Sequence, residues 1–309
     1  MSIKVVFLGT SGSVPTMKRN LPCVVVQCPK SQWMFDCGEN VQRQMLGAKI
    51  SFHRKMKIFI THLHGDHVLG LPGLLQTMAL MERKEALQIY GPIGLAKFLI
   101  CTKETLNFGL NYQVEIIEIQ KDGIIVDEDE YQIIAVNSNH AVDSYCFIVQ
   151  EKPRPGKFYP NKAKALGIPP GELWSKLQSG EEVTTSTGRT VKPLEVMGPL
   201  RAGRKIVYTG DTKPFEAFAK FAEGADLIIH DCTFDDSLIE KANVDGHSTS
   251  SQAASQAKAA NAKRLVLSHI SARYPDATLL LNQAKKVFPN TIVAEDYLEL
   301  ELPLNEQVL

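Results

Sequence analysis

No apolar run in these 309 residues approaches the length that a membrane span needs, and no signal-like segment precedes the first strand-like stretch at Ile3 to Leu8. Cysteine is sparse. The six residues at 23, 28, 37, 101, 146 and 232 form no CxxC pair and no regular spacing, and most lie in apolar strand-like runs. They read as free buried thiols of a reducing compartment, so the expectation is a cytoplasmic protein. Net charge is also lacking: 34 Lys and Arg balance 34 Asp and Glu, so any polyanion-binding surface must be local. The turn Gly9-Thr10-Ser11-Gly12-Ser13 does not match GxGxxG, which argues against a dinucleotide site. No short-period repeat points to a solenoid. With 44% hydrophobic and 22% charged residues, the chain has the profile of one large globular domain or two modest ones.

Histidine is scarce too, with 8 in the chain, yet three fall in Thr61-His62-Leu63-His64-Gly65-Asp66-His67, directly after the apolar run Lys57 to Ile60. Neutral imidazole and carboxylate are the preferred ligands of zinc and its first-row neighbours. In extended backbone, residues two apart point the same way, so His62 and His64 can grip one ion. Asp66 and His67 fall where the chain must turn and face a different point. The spacing therefore predicts two neighbouring metal positions.

The rest of the chain alternates strand and helix patterns. Strands are predicted near Ile3–Leu8, 24–26, 33–35, 57–60, 87–90, 114–119, 124–126, 131–136, 145–149, 206–208, 227–229, 265–267, 291–294 and 298–304. Helices are predicted over Val41–Leu46 with Asn40 as N-cap, 68–82, from Pro92 through Leu99, 216–222, from a Thr249/Gln252 capping box to Ala260, and 277–288. Both halves run from strands into strand–helix alternation, which predicts an α/β fold with four αββα layers. Residues 151–205 break the pattern. Eleven basic residues face five acidic ones, a net charge of +6, and the segment holds seven of the sixteen prolines and seven glycines. It reads as a basic arm inserted in a single domain spanning 1–309, with too little apolar content for a domain core.

Further ligand candidates sit just past predicted strand ends: His140, Asp211 and His269. A consistent assignment places His62, His64 and His140 on one metal and Asp66, His67 and His269 on the other, with Asp211 bridging. Two such cations suit hydrolysis of phosphodiesters, esters, thioesters or lactams. Asp66 is the natural carboxylate to hold and deprotonate the attacking water. His247 is the candidate general acid. It precedes a helix N-terminus, whose dipole disfavours imidazolium, so it needs an acidic partner, for which Asp231 is the candidate.

The segments FLGT at 7–10, FDCGE at 35–39, ITHLHGDH at 60–67, TGDT at 209–212, HDCTF at 230–234, HST at 247–249 and SHISARY at 268–274, with His140, resemble the motif set of the ribonuclease Z family. These are short-form tRNA 3′-processing endonucleases of the metallo-β-lactamase superfamily. The resemblance runs over nearly the whole chain and in family order. It implies a four-layer metallo-β-lactamase sandwich with two zinc ions per subunit, manganese or another divalent metal being the alternative. It implies a homodimer that cuts precursor tRNA after the discriminator nucleotide and leaves a 3′-hydroxyl. The same seven ligands follow, with Asp66 as base, and the arm becomes an exosite for the tRNA elbow. Lys18, Arg19, Thr249 and Arg273 are candidate RNA contacts. Asp231 stands where the family's HEAT element has a Glu, one methylene longer. Met17 stands where the family's PxKxRN loop has a lysine, which leaves the response to CCA-bearing tRNA open. The alternative chemistry on the same fold is hydrolysis of a small cyclic phosphodiester, lactone or thioester.

Overall fold

The computed structural model describes residues 2–304; the ends of the expected 1–309 domain, Met1 and residues 305–309, lie outside it. Two seven-stranded mixed sheets form the framework. The first runs in the order Glu299–Leu302, Ile3–Gly9, Cys23–Gln27, Gln32–Phe35, Met56–Phe59, Leu87–Gly91 and Val114–Glu118. The second runs Thr291–Val293, Leu265–Ser268, Leu227–Asp231, Lys205–Tyr208, Tyr145–Glu151, Tyr131–Asn137 and Gly123–Asp127. In each sheet the strands that deliver most functional side chains are parallel. Phe35 pairs with Phe59, Tyr208 with Ile229, and Asp231 with Ser268, so their C-terminal ends open onto a common edge.

These strands are buried on both faces, which explains their nearly continuous apolar runs. Between the sheets, Phe7, Phe35, Phe59, Phe147 and Tyr208 pack into one aromatic-rich core, with Phe35 and Phe59 stacked at 5.3 Å. Outside the first sheet, the helices Val41–Gly47, Gly70–Leu80 and Leu95–Leu106 close a second core around Met34, Leu71 and Leu74. Outside the second, Phe218–Phe221, Ser250–Ala259 and Thr278–Val287 close a third around Ile228 and the alanines of the central helix. The four layers are those expected. Among the described residues no helix is long and apolar enough to cross a membrane.

Several local expectations change. Asn40 occupies the N-cap position, but its backbone is left-handed (φ 64°) and its side chain caps nothing. The helix after Pro92 begins at Leu95 and continues past Leu99 to Leu106. The helix predicted at 216–222 shortens to Phe218–Phe221, and a helix over Ile239–Asp245 carried no clear periodic signal. The Thr249/Gln252 capping box forms as predicted and opens Ser250–Ala259.

Glu151–Arg204 is a separate compact unit. It contains three short helices, Pro160–Ala165, Glu172–Gln178 and Pro193–Val196, and a hairpin of Val183–Thr184 with Thr190–Val191. Despite its low apolar content it has a small core, in which Ala163, Ile168, Leu177, Val183, Val191 and Val196 are buried. At its base Glu151 receives a two-pronged contact from Arg204, both bonds at 2.8 Å. Glu172, Glu182 and Glu195 pair with Lys176, Lys192 and Arg189, while Lys157, Lys162 and Lys164 stay exposed.

Candidate metal centre

Strand Met56–Phe59 runs on in extended backbone through His64 (φ −65°, ψ 148°), and the chain then turns into the short helix Gly65–Val68. His62 and His64 therefore share one side while Asp66 and His67 are swung to another. His140, Asp211 and His269 arrive from loops that follow strands of the second sheet. His269 itself has left-handed backbone (φ 59°). It is held there by the two-residue ladder of Ile270–Ser271 with Ser11–Gly12, and by Ile270 N–H donating to Thr10 O at 2.9 Å.

The result is two adjoining clusters. In one, His64 Nδ1 lies 3.0 Å from His62 Nε2 and 3.3 Å from His140 Nε2, with Asp211 Oδ2 3.7 Å from His62 Nε2. In the other, His67 Nε2 lies 3.5 Å from Asp66 Oδ2, 3.4 Å from His269 Nε2 and 3.3 Å from Asp211 Oδ1. His269 Nε2 is 3.4 Å from Asp66 Oδ2 and 3.2 Å from Asp211 Oδ1. Ligands on a tetrahedral zinc with bonds of about 2.0–2.1 Å stand about 3.3 Å apart, so the spacings fit such an ion. Asp211 belongs to both clusters, one oxygen to each. Its Oδ1 is fully buried with no hydrogen-bond partner among the described residues, a cost that a cation would remove.

The far nitrogen of four imidazoles is committed elsewhere. His62 Nδ1 donates to Thr61 Oγ1 (2.9 Å), His67 Nδ1 to Asp36 Oδ2 (2.7 Å), His140 Nδ1 to Gly246 O (2.8 Å) and His269 Nδ1 to Thr233 Oγ1 (2.7 Å). Such partners fix the tautomer and aim the other nitrogen inward. Asp36 stands in the sequence within the FDCGE segment, with no role assigned to it. Here it also accepts from Thr61 N–H (2.8 Å) and Tyr208 OH (2.8 Å), tying the two sheets together under the centre. Its strand neighbours the one leading into THLHGDH, which is the signal that would have found it.

Burial disfavours the carboxylates, yet the neighbouring imidazoles win. His269 and His67 hold Asp66 far below the usual range, and the same pair holds Asp211 down. Asp66 Oδ2 also accepts from Ser13 N–H at 2.8 Å. Burial and the charge of His67 push His62 well down, toward the neutral form that ligation requires.

His247 stands beside the centre, its ring stacked on His269 at 5.2 Å and 22°. Its Nδ1 donates to Asp231 Oδ2 at 2.9 Å, so the shorter side chain reaches. Burial opposes the charge on His247, but the Asp231 carboxylate outweighs it and raises the pKa to about 9. Asp231 is pinned by Thr212 N–H, Thr233 N–H and Thr233 OH.

Of the four candidate RNA contacts, Lys18 and Arg273 are exposed. Arg19 and Thr249 are engaged within the protein. Arg19 is turned inward, donating to Thr10 Oγ1 at 2.8 Å and to Ala294 O, which holds its loop closed. Thr249 is buried, and its hydroxyl is used in the helix cap.

Two sheets with outer helices and a His/Asp centre at their common edge define the metallo-β-lactamase fold. Residues 174–270 match the beta-lactamase superfamily domain model, and residues 3–147 match the model described as anti-Pycsar protein Apyc1. Ribonuclease Z of Methanosarcina acetivorans is 46% identical over 97% of this chain and 98% of its own length. Ribonuclease Z of Archaeoglobus fulgidus is 46% identical over 99% and 100%. The crystal structure of the short form of human tRNase Z superposes with a TM-score of 0.72 at 30% identity, covering 97% of this chain and all of the human one. The chain belongs to the ribonuclease Z family.

Proposed function

We propose that the chain is a metal-dependent endoribonuclease that hydrolyses precursor tRNA after the discriminator nucleotide, releasing the 3′ trailer and leaving a 3′-hydroxyl. The observation that carries this reading is a paired His/Asp centre with the His247–Asp231 couple at its side, on a chain 46% identical to ribonuclease Z over nearly its full length. His62, His64 and His140 would hold one cation, Asp66, His67 and His269 the other, and Asp211 both; nitrogen-rich sets of this kind favour two zinc ions per subunit, with manganese as the alternative. When bound, the cations supply charge neutralisation at the phosphate and acidification of the attacking water.

The chain's own groups do the rest. Asp66, steadied by Ser13 N–H, orients the water and accepts its proton. As the bond from phosphorus to the 3′ oxygen breaks, His247 Nε2 delivers a proton to that oxygen, while Asp231 holds Nδ1–H and stabilises the imidazolium beforehand. The products are a tRNA with a 3′-hydroxyl and a trailer with a 5′-phosphate. The arm, an insertion in one metallo-β-lactamase domain, would hold the tRNA body through Lys157, Lys162 and Lys164, since phosphate contacts supply affinity without reading sequence. Lys18 and Arg273 would meet RNA nearer the centre. The same reading has the protein act as a cytoplasmic homodimer.

The test is incubation of purified protein with a precursor tRNA bearing a 3′ trailer, with and without a chelator. Chelator-sensitive release of the intact trailer is expected. Absence of cleavage, with turnover of a small phosphodiester retained, would transfer the centre to small-molecule hydrolysis.

A further inference from the structure

Phe234 lies three residues beyond Asp231 and is 3% exposed. Its backbone is tied to the segment carrying His247: Ser250 N–H donates to Phe234 O at 3.1 Å, and Phe234 bridges Thr249. Its ring centroid is 6.0 Å from that of His247. Two cations share this ring. Arg273 Cζ lies 4.8 Å from the centroid and Lys241 Nζ 5.8 Å from it. Neither residue belongs to the metal centre, and both are exposed.

The neighbouring acids do not cancel these charges by pairing. Asp235 accepts from Tyr274 OH (2.6 Å) and Ser237 N–H (2.8 Å), and Asp236 from Ser251 N–H (3.0 Å). Arg273 has no ion pair among the described residues; its Nε donates to Ser271 Oγ at 3.1 Å, which leaves the other guanidinium donors to face outward. Among the described residues Lys241 pairs only with Asp245 one turn on, at 2.8 Å, an exposed contact of the kind that contributes little and yields readily to a competing anion. Cations seated on an aromatic face keep their charge while losing conformational freedom. Because the Phe234 ring is buried, no base can stack on it, so this feature presents charge rather than a stacking surface.

We infer that Lys241 and Arg273, seated on Phe234, form a phosphate clamp for the RNA strand beside His247, gripping phosphates that flank the scissile one. The clamp would set the strand in register with the proton donor, because Phe234 and His247 are fixed to the same backbone pairing. This rests on reading the centre as a phosphodiesterase acting on RNA.

The test measures how a short single-stranded oligoribonucleotide inhibits hydrolysis of bis(p-nitrophenyl) phosphate by the metal-loaded protein, at several salt concentrations. Lys241→Ala and Arg273→Ala are each expected to raise the inhibition constant severalfold. Each should also lower the slope of its logarithm against log salt by roughly 0.7, the value for one lost contact to a single strand. Lys241→Arg should keep both, and Lys241→Ala should turn over the small ester itself near the wild-type rate. Unchanged inhibition and slope in both alanine variants would overturn the clamp. So would an equal loss of small-ester turnover, which would mean that the cations support the metal centre itself rather than hold RNA. Cleavage of precursor tRNA, followed in parallel, separates failure of the clamp from failure of the proposed function: oligoribonucleotide binding is read whether or not that substrate is cut.

Discussion

Replacing His247 with Ala separates proton delivery from every other task of the centre. The ring is 8% exposed, and Asp231 is its one hydrogen-bond partner among the described residues. Removing it does not orphan that carboxylate, since Asp231 Oδ2 still accepts from Thr212 N–H at 3.1 Å and Oδ1 from Thr233. Nor does it disturb the hydrogen bonds that aim the neighbouring imidazoles: His140 donates to the carbonyl of Gly246 and His269 to Thr233, neither to the lost side chain. Folding and metal content should therefore persist. General-acid catalysis contributes about 10²–10⁴-fold, which is about 3–5 kcal/mol in the barrier. A departing ribose 3′-oxygen needs that proton; a p-nitrophenolate does not. The variant should lose this factor in kcat on precursor tRNA and stay near wild type on bis(p-nitrophenyl) phosphate. The pH profile carries the same signature. The acid form of His247 exists below its pKa of about 9, so wild-type turnover of precursor tRNA should fall as pH rises through that value, and the small ester should show no such limb. Equal losses on both substrates with metal retained would refute the role.

Asp211→Asn keeps the side chain's shape but removes the charge lying 3.3 Å from His67 and 3.2 Å from His269, and dialysed protein should lose metal from both positions by elemental analysis; loss from one alone would remove Asp211 as the bridge. Gly246→Ala adds a methyl 2.8 Å from His140 Nδ1 at a residue with φ 85°, so we expect about 1–2 kcal/mol of backbone strain and a first cation released at lower chelator concentration, read by chelator titration and thermal melting. Changing Lys157, Lys162 and Lys164 to Ala should weaken precursor-tRNA binding and flatten its log–log salt dependence by roughly 0.7–0.9 for each lysine that meets a phosphate, with small-ester turnover unchanged.

The candidate ligands were legible because histidine is scarce, and because a strand end is where a rigid scaffold can aim a side chain. THLHGDH announced both the extended pair and the turn, and His140, Asp211 and His269 recur at comparable places in the second sheet. What aims those ligands was far less legible. Gly246 acts through its carbonyl, and every residue has one. Ser11–Gly12 and Ile270–Ser271 are two residues long, too short to carry periodicity, yet their ladder sets the strained backbone of His269. Asp36 looks like any acid at a strand end until the neighbouring strand places His67 against it. Two of the candidate RNA contacts show the same limit. Arg19 is ordinary surface chemistry in a sequence, and only tertiary packing turns it onto Thr10, whereas Thr249 was legible as a cap but not as a buried residue.

Asp231 shows the limit most sharply. Counting methylenes casts doubt on its reach to His247, because a side chain's length is all that the sequence displays. The distance it must cover is set by the parallel pairing of Asp231 with Ser268, which draws the strand end carrying it alongside the one that delivers His269. His247 stacks on His269 and so comes within 2.9 Å of the shorter carboxylate. A longer acid at this position would have to fold back or push that ring outward. The shorter residue is thus matched to this backbone, and Asp231→Glu should impair precursor-tRNA cleavage while leaving small-ester hydrolysis intact.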